Sequence, residues 1–221
     1  MLKKILSYLI PINVFQKKSV WSKNLEITWN NGQLVLDSKN TNYSYGSLQR
    51  ILRIGLKEIG FSKIESMNTI LVLGVAGGSV IKTLVDETGF KGNITGVEID
   101  STVIELANEY FQLNEIPNLE IILADAQDYI ASCQKKFDLI IIDIFQDKEM
   151  PDFLFKSEFI NRLAFLVNPD GVVLFNTMIL DKNDILRNQE YISHLNSNGF
   201  NCIALPKLEQ YNELIISKKG N

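Results

Sequence analysis

Between Thr69 and Phe175 one pattern recurs: a short apolar run, a turn, and then apolar residues at helical spacing. The runs fall at about 69–74, 93–99, 119–124, 137–142 and 172–175. They hardly alternate, which suits strands buried on both faces of a parallel sheet, with the intervening helices as crossovers. Helices are expected from near Ser79, after Ser101 as a possible cap, at 157–166 and at 181–197. The end of the chain changes character. Asn201 to Leu205 and Glu213 to Ser217 are strand-like with no helix between them, so they should pair antiparallel at the sheet edge. Upstream, residues 19–37 read as a hairpin, with Leu25–Trp29 alternating, Asn30-Asn31-Gly32 as the turn and Gln33–Asp37 returning. A polar loop from Ser38 to Ser44 follows. Leu48, Ile51, Leu52, Leu56 and Ile59 then share one helix face, and Gly60 ends the helix. The pattern predicts an α/β protein with a seven-stranded mixed sheet that closes in an antiparallel hairpin, plus a small N-terminal β-hairpin extension.

Composition narrows the function classes. The chain has 221 residues, 46% of them hydrophobic, and a net charge of −4, the size and balance of one globular α/β domain with a small addition. No basic stripe runs along it, so nucleic acid is not an expected partner. Cys133 and Cys202 lack metal-ligand spacing and the one histidine, His194, falls on a late helix, so no metal site is expected. The thiols fit a reducing cytosol, and the expected location is cytoplasmic. Lys3 and Lys4 ahead of Ile5-Leu6-Ser7-Tyr8-Leu9-Ile10 imitate a signal peptide. The run is short and no small-residue cleavage site follows, so it reads as an amphipathic first helix packing on the body or on a partner subunit. Nothing approaches the ~20 apolar residues of a membrane span.

The richest chemistry lies at the ends of the apolar runs. Gly74-Val75-Ala76-Gly77-Gly78 follows the first of them, where glycine lets a backbone approach a ligand closely. Glu98 ends the second, placed to accept hydrogen bonds from ribose hydroxyls, with Ile99 beside it. Asp100 reads equally well as a helix cap. Asp125, before Ala126, suits an adenine amine or the cap of a helix near Gln127. Asp143 ends the fourth run, where ligands of such sheets bind. Trp21 and Trp29 read as core or dimer contacts. A nicotinamide site fits poorly, because Ala76 and Ser79 stand where its fingerprint has glycines.

In order along the chain, Val35-Leu36-Asp37, Thr41-Asn42-Tyr43-Ser44-Tyr45, Gly74 to Gly78, Val97-Glu98-Ile99-Asp100, Ala124-Asp125-Ala126, Phe137 to Asp143, Leu154 to Phe159 and Asn168 to Val173 resemble the spermidine synthase branch of the class I S-adenosylmethionine-dependent transferases. The resemblance implies a Rossmann-like domain over residues 47–221 and a helix-and-hairpin extension over 1–46. It implies a cofactor site at Gly74, Val75, Ala76, Gly77, Gly78, Glu98, Ile99, Asp125, Ala126 and Asp143, with Asp143 and Tyr45 as catalytic residues. The departures matter as much. Gly77 replaces an aspartate of the family's first motif, Tyr45-Gly46-Ser47 replaces Tyr-Gln-Glu, and Gln146 replaces the second aspartate after Asp143. A polyamine's ammonium groups need carboxylates in place of water. The resemblance therefore points to a methyltransferase that uses S-adenosylmethionine and an unidentified small-molecule acceptor, held between Tyr45, Asp143 and the Phe145–Phe155 loop. The alternatives are an aminopropyltransferase using decarboxylated S-adenosylmethionine, and a non-catalytic nucleoside-binding scaffold. A homodimer through the N-terminal hairpin is expected.

Overall fold

A computed structural model describes residues 2–22, 24–38, 42–44, 46–145, 149–209 and 211–220. The short helix α1 (Leu2–Leu6) precedes an antiparallel sheet of four strands in the order β1 (Ile12–Lys17), β2 (Leu25–Asn30), β3 (Gln33–Ser38), β4 (Asn42–Ser44). The expected hairpin is β2–β3, paired from Leu25↔Ser38 to Asn30↔Gln33. The outer strands are additions. β1 escapes a period-two reading because a bulge between Asn13 and Phe15 breaks its alternation, and β4 turns the end of the expected polar loop into an edge strand. The amphipathic α1 rests against β2, with Lys4 over the Trp29 ring, but none of its residues is buried.

Helices α2 (Ser47–Ile59) and α3 (Phe61–Glu65) lead into the main sheet. Its strands are β5 (Thr69–Leu73), β6 (Asn93–Glu98), β7 (Leu119–Leu123), β8 (Phe137–Ile142), β9 (Val167–Met178), β10 (Phe200–Leu208) and β11 (Asn212–Lys219). The crossovers are α4 (Ser79–Lys82), which runs into a π-helical turn at Thr83–Glu87, then α5 (Ser101–Phe111), α6 (Ala126–Ser132), α7 (Ser157–Leu166) and α8 (Lys182–Ser197). The strand order is β10-β11-β9-β8-β5-β6-β7; β5 to β9 are parallel, and β11 and β10 close the sheet antiparallel. This is the seven-stranded mixed sheet that the apolar runs predict.

The apolar runs lack alternation because both faces are covered. Leu71, Leu73, Ile140, Ile142, Val173 and Phe175 face α6, α7 and α8 through Ile130, Phe159, Leu163 and Leu195. Ile70, Val72, Leu139, Ile141, Val172 and Leu174 face α2 and α4 through Ile51, Leu52, Leu56, Val80 and Ile81. The N-terminal sheet adds a third core, in which Leu25, Ile27 and Leu36 pack on Val103, Leu106 and Phe111 of α5. No described helix is long and apolar enough to cross a membrane.

The topology sets the site. From β5 the chain winds outward to β6 and β7, then returns to β8 on the other side of β5. The crossovers diverge above the β5–β8 pair, opening a crevice at the carboxyl ends of these strands.

Candidate functional site

The turn after β5 is shaped by its surroundings. Gly74 has φ +86°, and a Cβ there would collide with the carbonyl oxygen of Asp143. Glycine is therefore needed twice over, for its dihedral and for the neighbouring strand end. Gly78, at φ +75°, precedes α4 and abuts Leu113. Ala76 is held at φ +47°, a conformation that a Cβ disfavours.

That conformation is maintained by Glu98. One carboxylate oxygen accepts from the amides of Val75 (3.1 Å) and Ala76 (3.0 Å), the other from Ile99 (2.9 Å) and Asp100 (3.1 Å). A carboxylate offers about four acceptor positions, and all four are taken by backbone amides. Burial pushes this carboxyl above its ordinary range, and the amides offset part of the rise.

Asp100 is the N-cap of α5, accepting from the Thr102 amide at 2.9 Å, so the helix is capped by Asp100 rather than Ser101. Its second oxygen accepts from the Ser19 hydroxyl, which fastens the β1–β2 loop over this end of the sheet. Asp125 caps α6 through the Gln127 amide at 2.7 Å. It also lines a cavity of about 240 Å³ at the carboxyl ends of the strands. The walls of this cavity include Gly74, Ala76, Glu98, Ile99, Asp100, Ala126 and Asp143.

Asp143 sits at the switch point. Its amide donates to the Leu73 carbonyl at 2.9 Å, tying the end of β8 to β5. Its Oδ1 accepts from the Asn176 side chain on β9 at 2.9 Å, and Asn176 Oδ1 accepts from Asn212 on β11 at 3.0 Å. The Asp143 carboxylate, which can only accept, takes the NH2 group of the fully buried Asn176 and leaves its oxygen for Asn212. Burial raises the Asp143 carboxyl from 3.8 to about 6, with the Asn176 bond working against the rise. Asp143 and Glu98 are enclosed by protein and keep only partial exposure, towards the cavity they line.

Of the residues singled out in the sequence, Gly74, Ala76, Glu98, Ile99, Asp125, Ala126 and Asp143 are brought to one cavity. Val75, Gly77 and Gly78 shape the turn without being among its described walls. Tyr45 and Gln146 lie outside the described residues. His194 is on the surface, against Asn161. Trp21, read as a core or dimer contact, is about half exposed (48%) on the cavity wall. Leu48, Phe145, Pro151 and Phe153 complete an apolar side next to Asp143. Asn176 and Asn212 carried no signal, because their partners depend on strand register.

A family model described as the spermine/spermidine synthase domain matches residues 54–217. A probable polyamine aminopropyl transferase of Bifidobacterium longum is 30% identical over 71% of this chain and 35% of its own length. A Drosophila melanogaster homolog of the eEF1A lysine and N-terminal methyltransferase is 24% identical over 81% of this chain and 28% of its own length. This chain thus spans about a third of these curated relatives. The crystal structure of human methyltransferase-like protein 13 in complex with SAH superposes with a TM-score of 0.66 at 21% identity, covering 80% of this chain and 83% of that one.

Proposed function

The chain belongs to the spermine/spermidine synthase domain family, and from that premise we propose that it is an S-adenosylmethionine-dependent methyltransferase acting on a small-molecule acceptor. The choice of cofactor rests on a departure in sequence: Gly77, in the turn that shapes the cavity without being among its described walls, stands where the resemblance implies an aspartate. An acid there would repel a cofactor bearing its own carboxylate, and glycine does not. The human structure bound to SAH supports the same class of ligand.

The cavity fits such a group. Asp125 has an oxygen beyond the one engaged by Gln127, suited to the adenine amine, and Ile99, Ala124 and Ala126 offer apolar walls to the rings. Glu98 is the ribose ligand in this reading, with hydroxyls taking the place of the Val75 and Ala76 amides on one oxygen. When bound, the cofactor would supply a methyl carbon on a positively charged sulfur. Asp143 is the acceptor-side base. An amine with an ordinary pKa near ~10.4 must lose a proton before it can attack, and a carboxylate beside it can take that proton. Its raised pKa, about 6, leaves it ionised at neutral pH and more basic than an exposed aspartate. Asn176 holds one oxygen, leaving the other for the acceptor.

The test is methyl transfer from labelled S-adenosylmethionine across an amine panel, with products read by mass spectrometry. Asp143→Asn is expected to lower turnover by about 10²–10⁴-fold with cofactor affinity retained, as for removal of a general base. Full turnover in that variant would refute the role of Asp143. The second reading, an aminopropyltransferase, rests on the name of the Bifidobacterium relative. Spermidine formed from putrescine and the decarboxylated cofactor would put it first. Cofactor binding with no turnover on any acceptor would favour a nucleoside-binding scaffold.

A further inference from the structure

The first ten residues invert the usual rule of burial. Ser7 is 1% exposed, while Leu2, Ile5, Leu6, Tyr8, Leu9 and Ile10 face solvent, Leu9 at 82% and Leu2 at 71%. The segment is not loosely attached. The Ser7 carbonyl accepts from the Asn31 amide (3.0 Å), its hydroxyl accepts from the Gly32 amide (3.0 Å) and donates to the Lys4 carbonyl (2.6 Å), and the Tyr8 ring covers Gly32. Ser7 and Tyr8 thus fasten the segment to the β2–β3 turn, while Leu2, Ile5, Leu9 and Ile10 are mostly exposed to solvent. A contiguous exposed apolar patch of this kind marks a surface meant for another phase or molecule.

Charge selects the occupant. Residues 1–25 contain five lysines and no acid, in a chain whose net charge is −4. Lys3 and Lys4 lie among the exposed apolar side chains, both themselves exposed. A two-fold contact between copies of this segment would gather Lys3 and Lys4 of both copies in one apolar interface, with no acid in residues 1–25 to pair them. A layer with anionic headgroups over an apolar interior complements both features at once.

We propose that the segment from Leu2 to Ile10 is an interfacial anchor that docks the protein on an anionic lipid surface, with Leu2, Ile5, Leu6, Leu9 and Ile10 in the acyl boundary and Lys3 and Lys4 at the headgroups. It lies on the surface and does not cross it; the segment is too short to span. The anchor is separate from the cavity and does not depend on the reading of its chemistry.

The experiment is sedimentation of the full chain with vesicles, either phosphatidylcholine alone or equal parts phosphatidylcholine and phosphatidylglycerol, at low and high salt. The expected result is co-sedimentation with the anionic vesicles that weakens with salt. Neutralising the lysines as Lys3→Gln and Lys4→Gln should reduce partitioning at low salt by about fivefold each, roughly thirty-fold together, from ~1 kcal/mol per basic residue near the surface. Leu9→Asp should abolish it with an unchanged thermal midpoint, since Leu9 makes no buried contact. Absence of the chain from anionic vesicles, or equal partitioning of Leu9→Asp, overturns the proposal. So does light scattering that shows a dimer dissolved by Leu9→Asp, because a second copy would then cover the patch.

Discussion

Asp138 and Asp143 stand five residues apart at the two ends of β8, and the fold treats them oppositely. Burial pushes Asp138 up, but the amides of Asn68 (2.8 Å) and Thr69 (3.0 Å) and the Asn168 side chain (2.7 Å) outweigh it and hold its carboxyl below the ordinary range. Its contribution to stability is present above the ordinary value and is lost as pH falls through the depressed one. Asp143 has the opposite sign. Its folded pKa is raised from 3.8 to about 6, so the folded state binds more protons than the unfolded across that interval. Stability should therefore fall by about 3 kcal/mol as pH rises from 3.8 to about 6 on this account alone. Urea unfolding of wild type and Asp143→Asn at pH values across the interval checks this, because the variant should lack that loss. Asp37, raised to about 6 by burial and by Glu26 beside it, titrates in the same interval, so the comparison with the variant is what isolates Asp143. A matching slope in both proteins would show that Asp143 is solvated. Glu98→Gln should cost about 2–6 kcal/mol, because an amide group facing four backbone donors leaves about two of them unpaired at ~1–3 kcal/mol each. The same variant should bind cofactor far more weakly. The sequence located Glu98, Asp125 and Asp143 because chemistry at the carboxyl end of an apolar run is readable without the partners. Asn176 and Asn212 were not readable, since each matters only through a residue more than thirty positions away.

At the scale of elements, the turn between β5 and α4 is the most constrained piece. Gly74→Ala adds both a disfavoured dihedral and a collision with the Asp143 carbonyl, the strand connection that builds the crevice. A cost of about 3 kcal/mol is expected, which for a chain of this size lowers Tm by about 6–12 °C. A thermal midpoint unchanged in Gly74→Ala would mean that the turn relaxes freely. The parallel strands were legible because burial on both faces writes a continuous apolar run, as in Leu139-Ile140-Ile141-Ile142. The closing hairpin was legible from the missing helix between residues 205 and 213. The N-terminal sheet was only half legible. β2 and β3 alternate around Asn31-Gly32, whereas β1 is bulged, and β4 has three residues and gains its identity from β3 alone. The start of β9, through Asn168-Pro169-Asp170-Gly171, reads as a turn by composition but continues as strand past a shift in register with β8.

For the whole molecule, the chain separates into a lysine-bearing N-terminal segment with outward apolar side chains and a sheet domain in which Glu98, Asp100, Asp125 and Asp143 meet at one crevice. The sheet order brings the ends of β5, β6 and β8 and the start of α6 together, so one ligand can touch Gly74, Glu98, Asp125 and Asp143. The central claim is that this crevice takes a carboxylated sulfonium nucleoside. Calorimetric titration of the purified chain with S-adenosylmethionine, its decarboxylated form and NAD, side by side, tests it most directly. The account predicts that S-adenosylmethionine binds more tightly than the decarboxylated form and that NAD does not compete. Preference for the decarboxylated cofactor would contradict the assignment of Gly77, and failure of all three to bind would return Glu98 and Asp125 to purely structural roles.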